Sequence, residues 1–96
     1  DEVDAGIGGH TARAVGEQLR LLAEGRQVVC ITHLPQVASL AARHFSIAKD
    51  TGREPAVTTV AQLEEKQVVG ELVRMLGAPA DDVAARRHAK ELRKAA

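Results

Sequence analysis

Three features of the sequence carry side chains that could act on a phosphate group. The first is the pair Asp1-Glu2. Successive residues of a strand face opposite sides, so two adjacent carboxylates leaving a strand point to different places. One can hold a cation on the phosphates while its neighbour orients or deprotonates an attacking water, a division of labour that nucleotide hydrolysis uses. The second is His33, which follows the apolar run Val28 to Thr32. An imidazole there could hydrogen-bond a terminal phosphate oxygen or the attacking water, or it could cap the helix that Pro35 begins. The third is the loop Gly6-Ile7-Gly8-Gly9. It could cradle a phosphate, cross to a second subunit, or make an ordinary turn. It lacks the Lys-Ser/Thr pair that completes a P-loop.

These groups need elements to place them. Three glycines in residues 5–9 carry too much backbone freedom for regular structure, so a loop is expected there. Thr11 is the expected N-cap of a helix in which Val15, Leu19, Leu22 and Ala23 recur at helical spacing up to Gly25. Gln27 to Thr32 has the β-branched, apolar character of a buried parallel strand. Asp1-Glu2 is expected to leave a neighbouring strand that precedes residue 1. Consecutive parallel strands end on one edge, where α/β proteins bind ligands, and Glu2 and His33 would meet there.

Downstream, Pro35 presets a helix first turn, continued by Val37, Leu40 and Ala41. Phe45 to Lys49 and Ala56 to Leu63, separated by Asp50-Thr51-Gly52, predict a hairpin. Leu63 to Leu76 predicts a helix stopped by Gly77. Pro79 is expected to open a final helix with Asp81 and Asp82 in its first turn and Arg93 and Lys94 in its last, as the helix dipole favours. The expected fold is α/β: the tail of a mixed sheet with flanking helices, then a hairpin and two C-terminal helices, all within one partial domain over residues 1–96.

The bulk composition narrows the function. The 96 residues hold 13 Lys plus Arg against 13 Asp plus Glu, so the basic excess of a stand-alone nucleic-acid binder is missing. Hydrophobic residues make up 45% of the chain, but much of that is alanine and the only aromatic is Phe45. Such a core buries little area, which predicts modest stability or a surface that a partner completes. The single cysteine, Cys30, lies in an apolar run and is expected to be buried, in keeping with a reducing cytoplasm. No apolar run approaches the ~20 residues that span a bilayer.

The opening Asp1-Glu2-Val3-Asp4-Ala5-Gly6-Ile7-Gly8-Gly9, followed by Val29-Cys30-Ile31-Thr32-His33-Leu34-Pro35-Gln36-Val37-Ala38, closely resembles the RecN family of bacterial DNA-repair proteins, relatives of SMC proteins and ABC-type ATPases. The resemblance continues through Glu71-Leu72-Val73-Arg74-Met75-Leu76-Gly77 and His88-Ala89-Lys90-Glu91-Leu92, so it spans essentially the whole chain. It implies that the chain is the C-terminal part of an ATPase head, from the Walker B motif onward. Asp1 matches the Walker B aspartate that supports Mg²⁺, usually through water, and Glu2 the glutamate that polarises the attacking water. Asp4 with Gly6, Gly8 and Gly9 matches the D-loop that touches a second head, and His33 the switch histidine near the γ-phosphate.

The resemblance also implies ATP and Mg²⁺ as cofactors of the complete head. The implied partners are the N-terminal lobe of the same head, a second head in a homodimer, and DNA through the whole protein, in the bacterial cytoplasm at the nucleoid. Two departures stand out. Ala78 follows Gly77 where the family often has a second glycine, and Val68 stands where a basic surface residue is expected. No Gly-x-x-x-x-Gly-Lys-Ser/Thr occurs in the sequence, so the cradle for the β- and γ-phosphates is absent and the isolated chain is expected not to hydrolyse ATP.

Two other classes compete. A metal-dependent hydrolase could draw on Asp1, Glu2, Asp4, His10, His33 or His44, but no HExxH or CxxC spacing supports it. A helical interaction module could use the amphipathic pair Leu63 to Leu76 and Pro79 to Ala95, although packing of both helices on the rest of a head is the simpler expectation. Arg86, Arg87, Lys90, Arg93 and Lys94 could touch DNA, but such a run is more often a solvated face, and Asp81, Asp82 and Glu91 dilute it.

Overall fold

The computed structural model describes residues 9–52 and 54–95. Helix α1 spans Gly9–Leu22 and α2 spans Pro35–Ala38. Strands β1 (Phe45–Asp50) and β2 (Val57–Gln62) form an antiparallel pair, and α3 (Glu65–Met75) and α4 (Val83–Lys94) follow. The described architecture is mixed helix and strand: four helices and one two-stranded sheet.

The core sits where α2, α3 and α4 meet. Val68, Leu72 and Val73 line one stripe of α3 and are buried with Ala38 of α2 and Ala89 of α4. Val68 is therefore a core residue, 2% exposed, and not the surface position expected from the resemblance. The apolar faces of α3 and α4 close on each other and on α2. The small residues Ala38 and Ala89 bring the backbones close but bury little area. Leu72 and Val73 are the largest fully buried hydrophobic side chains.

Both ends of α3 are fixed by local chemistry. At its start the Gln67 side-chain oxygen accepts from the Glu64 backbone N–H at 2.8 Å, the reciprocal half of a capping box. At its end Gly77 takes a left-handed φ of +77°. Its N–H then donates to the Arg74 carbonyl at 3.0 Å and that of Ala78 to the Val73 carbonyl at 3.3 Å, the pattern of a Schellman stop. Only residue 77 needs glycine for this; the next position accepts Ala78 without strain.

The final helix begins later than Pro79. The Pro79 carbonyl accepts from the Asp82 N–H at 3.0 Å in a preceding turn, and the Asp82 side chain caps α4 by accepting from the Ala85 N–H at 3.0 Å. A carboxylate that can satisfy an orphan amide outcompetes the proline as the start signal. Arg93 and Lys94 occupy the last turn, as expected.

Helix α1 lies against α2. Ala12 and Gly16 are buried, Val15 and Leu19 half-buried, which is one helical stripe. Gly16 permits this approach, since a methyl group on it would sit 2.6 Å from Leu40 Cδ1 and 3.4 Å from Val37 Cα. The helix starts at Gly9, so Thr11 lies within its first turn and is not an N-cap. Arg13 ties α1 to the end of α4 by donating from Nη2 to the Ala95 carbonyl at 3.0 Å.

The hairpin register pairs Phe45 with Gln62, Ile47 with Val60 and Lys49 with Thr58. Alternation places Phe45, Ile47 and Val60 on one face, and all three are exposed, by 51%, 56% and 63%. The turn is held by Asp50, whose carboxylate accepts from the Gly52 N–H at 3.0 Å.

Candidate functional site

Residues 27–34 contain no strand, contrary to the sequence expectation. A strand persists through hydrogen bonds from a neighbour, and among the described residues none pairs with this segment. Its apolar side chains are correspondingly open: Val29 is 82% exposed and Ile31 also lies at the surface. Cys30 is half-buried rather than buried, with Sγ 3.9 Å from the Ile31 carbonyl.

His33 sits between this segment and α2. The Thr32 hydroxyl accepts from the Leu34 N–H at 3.0 Å, which closes a tight turn around residue 33. Leu34 is extended, as a residue before proline must be, and it holds the N-cap position: its carbonyl accepts from the Val37 and Ala38 amides, both at 3.1 Å. His33 is thus not the cap of α2. Its imidazole is exposed and makes no hydrogen bond with the described residues. An exposed, unengaged imidazole on a fixed turn can donate or accept a hydrogen bond to a bound group.

The imidazole borders a broad open cleft of about 1480 Å³. Leu19 of α1, residues 28–31, Phe45 and Ile47 of the hairpin and Met75 of α3 contribute to its walls. The walls are mainly apolar. Arg74, paired with Glu71, and His44 add charge and polarity to its lining, as do Arg20, Glu24, Arg26 and Arg43.

His44, weighed in the sequence only as one of several scattered metal-ligand candidates, carries a buried polar atom of this region. It precedes β1, and its carbonyl accepts from the Leu63 N–H at 2.9 Å to close the base of the hairpin. Its buried Nδ1 has no hydrogen-bond partner among the described residues. Burial holds the imidazole pKa below its ordinary value, Arg93 and Arg74 push the same way, and Glu71 opposes them. A lone histidine between Arg43 and Phe45 gives no sequence signal for this.

The other predicted site residues divide simply. Gly9, expected in a loop, is helical and is the first described residue of α1. Asp1, Glu2, Asp4, Gly6 and Gly8 lie outside the described residues, and with them the expected meeting of Glu2 and His33. Among the described residues no three His, Cys, Asp or Glu side chains gather to hold a metal ion. Nor is any described helix long and apolar enough to cross a membrane.

No protein-family model matches the chain. Individual relatives do. The chain is 43% identical over 95 residues to DNA repair protein RecN of Treponema pallidum, covering 99% of its own length and 17% of the relative's. It is 43% identical over 96 residues to RecN of Bacillus subtilis, covering 100% and 17%. It is 46% identical over 92 residues to RecN of Streptomyces coelicolor, covering 96% and 16%. These relatives are DNA repair proteins of bacteria. The chain belongs to the RecN family, and it spans about 17% of the length of the first two of these relatives.

Proposed function

We propose that this chain is part of the ATPase head of an SMC-like, ABC-type protein that acts in bacterial DNA double-strand break repair and recombination. In this assignment Asp1 supports Mg²⁺, Glu2 activates the water that attacks ATP, and Asp4 with Gly6, Gly8 and Gly9 touches a second head. His33 contacts the terminal phosphate. The observation that carries the assignment is the placement of His33, exposed and unengaged on a turn fixed by Thr32, Leu34 and Pro35. A histidine that only capped α2 would be tied to the helix, and Leu34 already fills that role.

The residues described fit this role in part. A neutral imidazole can accept a proton or hydrogen-bond an oxyanion, and His33 is open to do either. Bound ATP–Mg²⁺ would supply the phosphoryl group and its charge neutralisation. Binding of β- and γ-phosphates needs a backbone cradle and lysine that this sequence lacks, so those groups belong to an N-terminal lobe. The apolar cleft beside His33 is where that lobe would pack. The protein would work in the cytoplasm at the nucleoid, its heads closing on ATP and opening after hydrolysis.

The test uses the longer protein that carries this chain. Glu2→Gln should abolish most ATP turnover and leave ATP-bound head dimers to accumulate. His33→Ala should lower turnover while leaving ATP binding within a few-fold. Unchanged turnover in both variants would remove these residues from the reaction. The isolated 96 residues should show no turnover above a Glu2→Gln control.

A further inference from the structure

Helix α4 has two sides of opposite character. On one, Ala89 is fully buried and Arg93 is drawn inward. On the other, Val83, Arg87, Lys90 and Lys94 recur at intervals of four, three and four residues and so share a face. Arg86 flanks this face on one side and Glu91 on the other, and the six residues line a shallow groove along the helix. Val83 is 71% exposed at its start.

This is not the by-product of a basic protein, because the chain's cations and anions balance at 13 each. Nor are these charges matched locally. The ion pairs of the described residues involve Arg13, Lys66, Arg74 and Arg93, each with a glutamate. Arg86, Arg87, Lys90 and Lys94 form none among the described residues. Three cations share one outward face, flanked on one side by Arg86, which also donates to the Ala80 carbonyl at 3.4 Å, and on the other by a single anion, Glu91.

We propose that this face of α4 docks on the phosphate backbone of duplex DNA. At a rise of 1.5 Å per residue, Arg87 to Lys94 covers roughly 10 Å, and one DNA strand carries a phosphate about every 3.4 Å along the axis. Three cations can therefore meet separate phosphates of one strand. The cations follow the helix at the spacing of one strand's phosphates, and no Asn or Gln shares the face to read an adenine edge, so binding is expected to rest on the backbone and to vary little with sequence. An anionic lipid surface is the poorer fit. A helix lying on a membrane needs a free apolar side next to its basic one. The apolar side of α4 is already spent on α2 and α3. The proposal does not depend on the nucleotide assignment, since none of its residues borders the His33 cleft.

The experiment uses the longer protein that carries this chain and measures its binding to a random-sequence duplex by fluorescence anisotropy at KCl concentrations of roughly 20 to 150 mM. Vesicles containing phosphatidylserine form a second arm. Against wild type, Arg87→Gln/Lys90→Gln/Lys94→Gln should flatten the slope of log K against log salt by about 3, near 0.9 per phosphate contact. It should weaken binding on the order of 100-fold near 100 mM salt, equally for unrelated duplex sequences. Should the triple variant lose its circular dichroism signal, Lys90→Gln alone should still lower the slope by about 1. An unchanged slope overturns the proposal. So does a loss confined to vesicles, or a loss that depends on duplex sequence.

Discussion

Arg93, near the end of α4, grips Glu65, at the start of α3, through two parallel hydrogen bonds: Nε to Oε2 and Nη2 to Oε1, both at 2.9 Å. The remaining nitrogen, Nη1, donates to the backbone carbonyls of Ser39, at 2.8 Å, and Ala41 beyond α2. One guanidinium thereby joins three helices. It also requires α3 and α4 to run antiparallel, so that the start of one lies beside the end of the other.

The carbonyl contacts should matter more than the ion pair. Glu65 is exposed, and an exposed pair gains little in water. The Arg93 side chain is only 17% exposed, and the carbonyls it satisfies have lost water to it. Arg93→Ala should cost about 1.5–3 kcal/mol in urea unfolding, the range for hydrogen bonds to charged groups. Arg93→Lys should recover only part of this, because an ammonium cannot fork between a carboxylate and two carbonyls. Glu65→Gln should cost clearly less than either; an equal loss would assign the stability to the ion pair.

Val68 offers a second check, because family resemblance and burial disagree about it. A basic residue expected at this position would be harmless on the surface. At 2% exposure beside Leu72 and Val73, a lysine would bury an unpaired charge. Val68→Lys should therefore abolish the cooperative unfolding transition, while Leu72→Ala should shift it by roughly 2–5 kcal/mol. A Val68→Lys protein of wild-type stability would place α3 in a different rotation.

What could be read in advance divides along local and non-local lines. The hairpin, the stop at Gly77 and the basic last turn of α4 rest on residues within a few positions of one another, and each formed as expected, whereas Asp81 and Asp82 precede the first turn of α4 instead of lying in it. Boundaries failed where two local signals competed, as with Pro79 against Asp82. The segment 27–32 failed for a different reason: its composition fits a strand, but a strand exists only beside another one, and none among the described residues pairs with it. Arg93 was grouped with the basic run of α4 because its true partners lie on α3 and after α2, far away in sequence. Of the candidate site, sequence placed His33 correctly before α2 but left open whether it capped the helix, and only the geometry of Leu34 decides that. The opening carboxylates lie outside the described residues, so their role still rests on their pattern and on the resemblance.

The buried Nδ1 of His44 makes stability depend on pH in a particular direction. Burial lowers the folded pKa below the ordinary value of 6.5, with Arg93 and Arg74 adding to the effect and Glu71 opposing it. The unfolded chain then binds a proton more readily than the folded one, so the native state is favoured above about pH 6.5 and weakens as pH falls through 6.5 toward the lower folded value. Glu65 contributes in a separate, more acidic window. The Arg93 hydrogen bond lowers its pKa from 4.5, so its contribution is present above that value and is lost below it. Urea midpoints should fall for wild type between about pH 7.5 and 5.0, and His44→Asn should flatten most of that fall while leaving unaltered the further change measured below about pH 4.5. If His44→Asn leaves the slope between pH 7.5 and 5.0 intact, the imidazole is not the group being titrated, and the orphaned nitrogen must find a partner in solution.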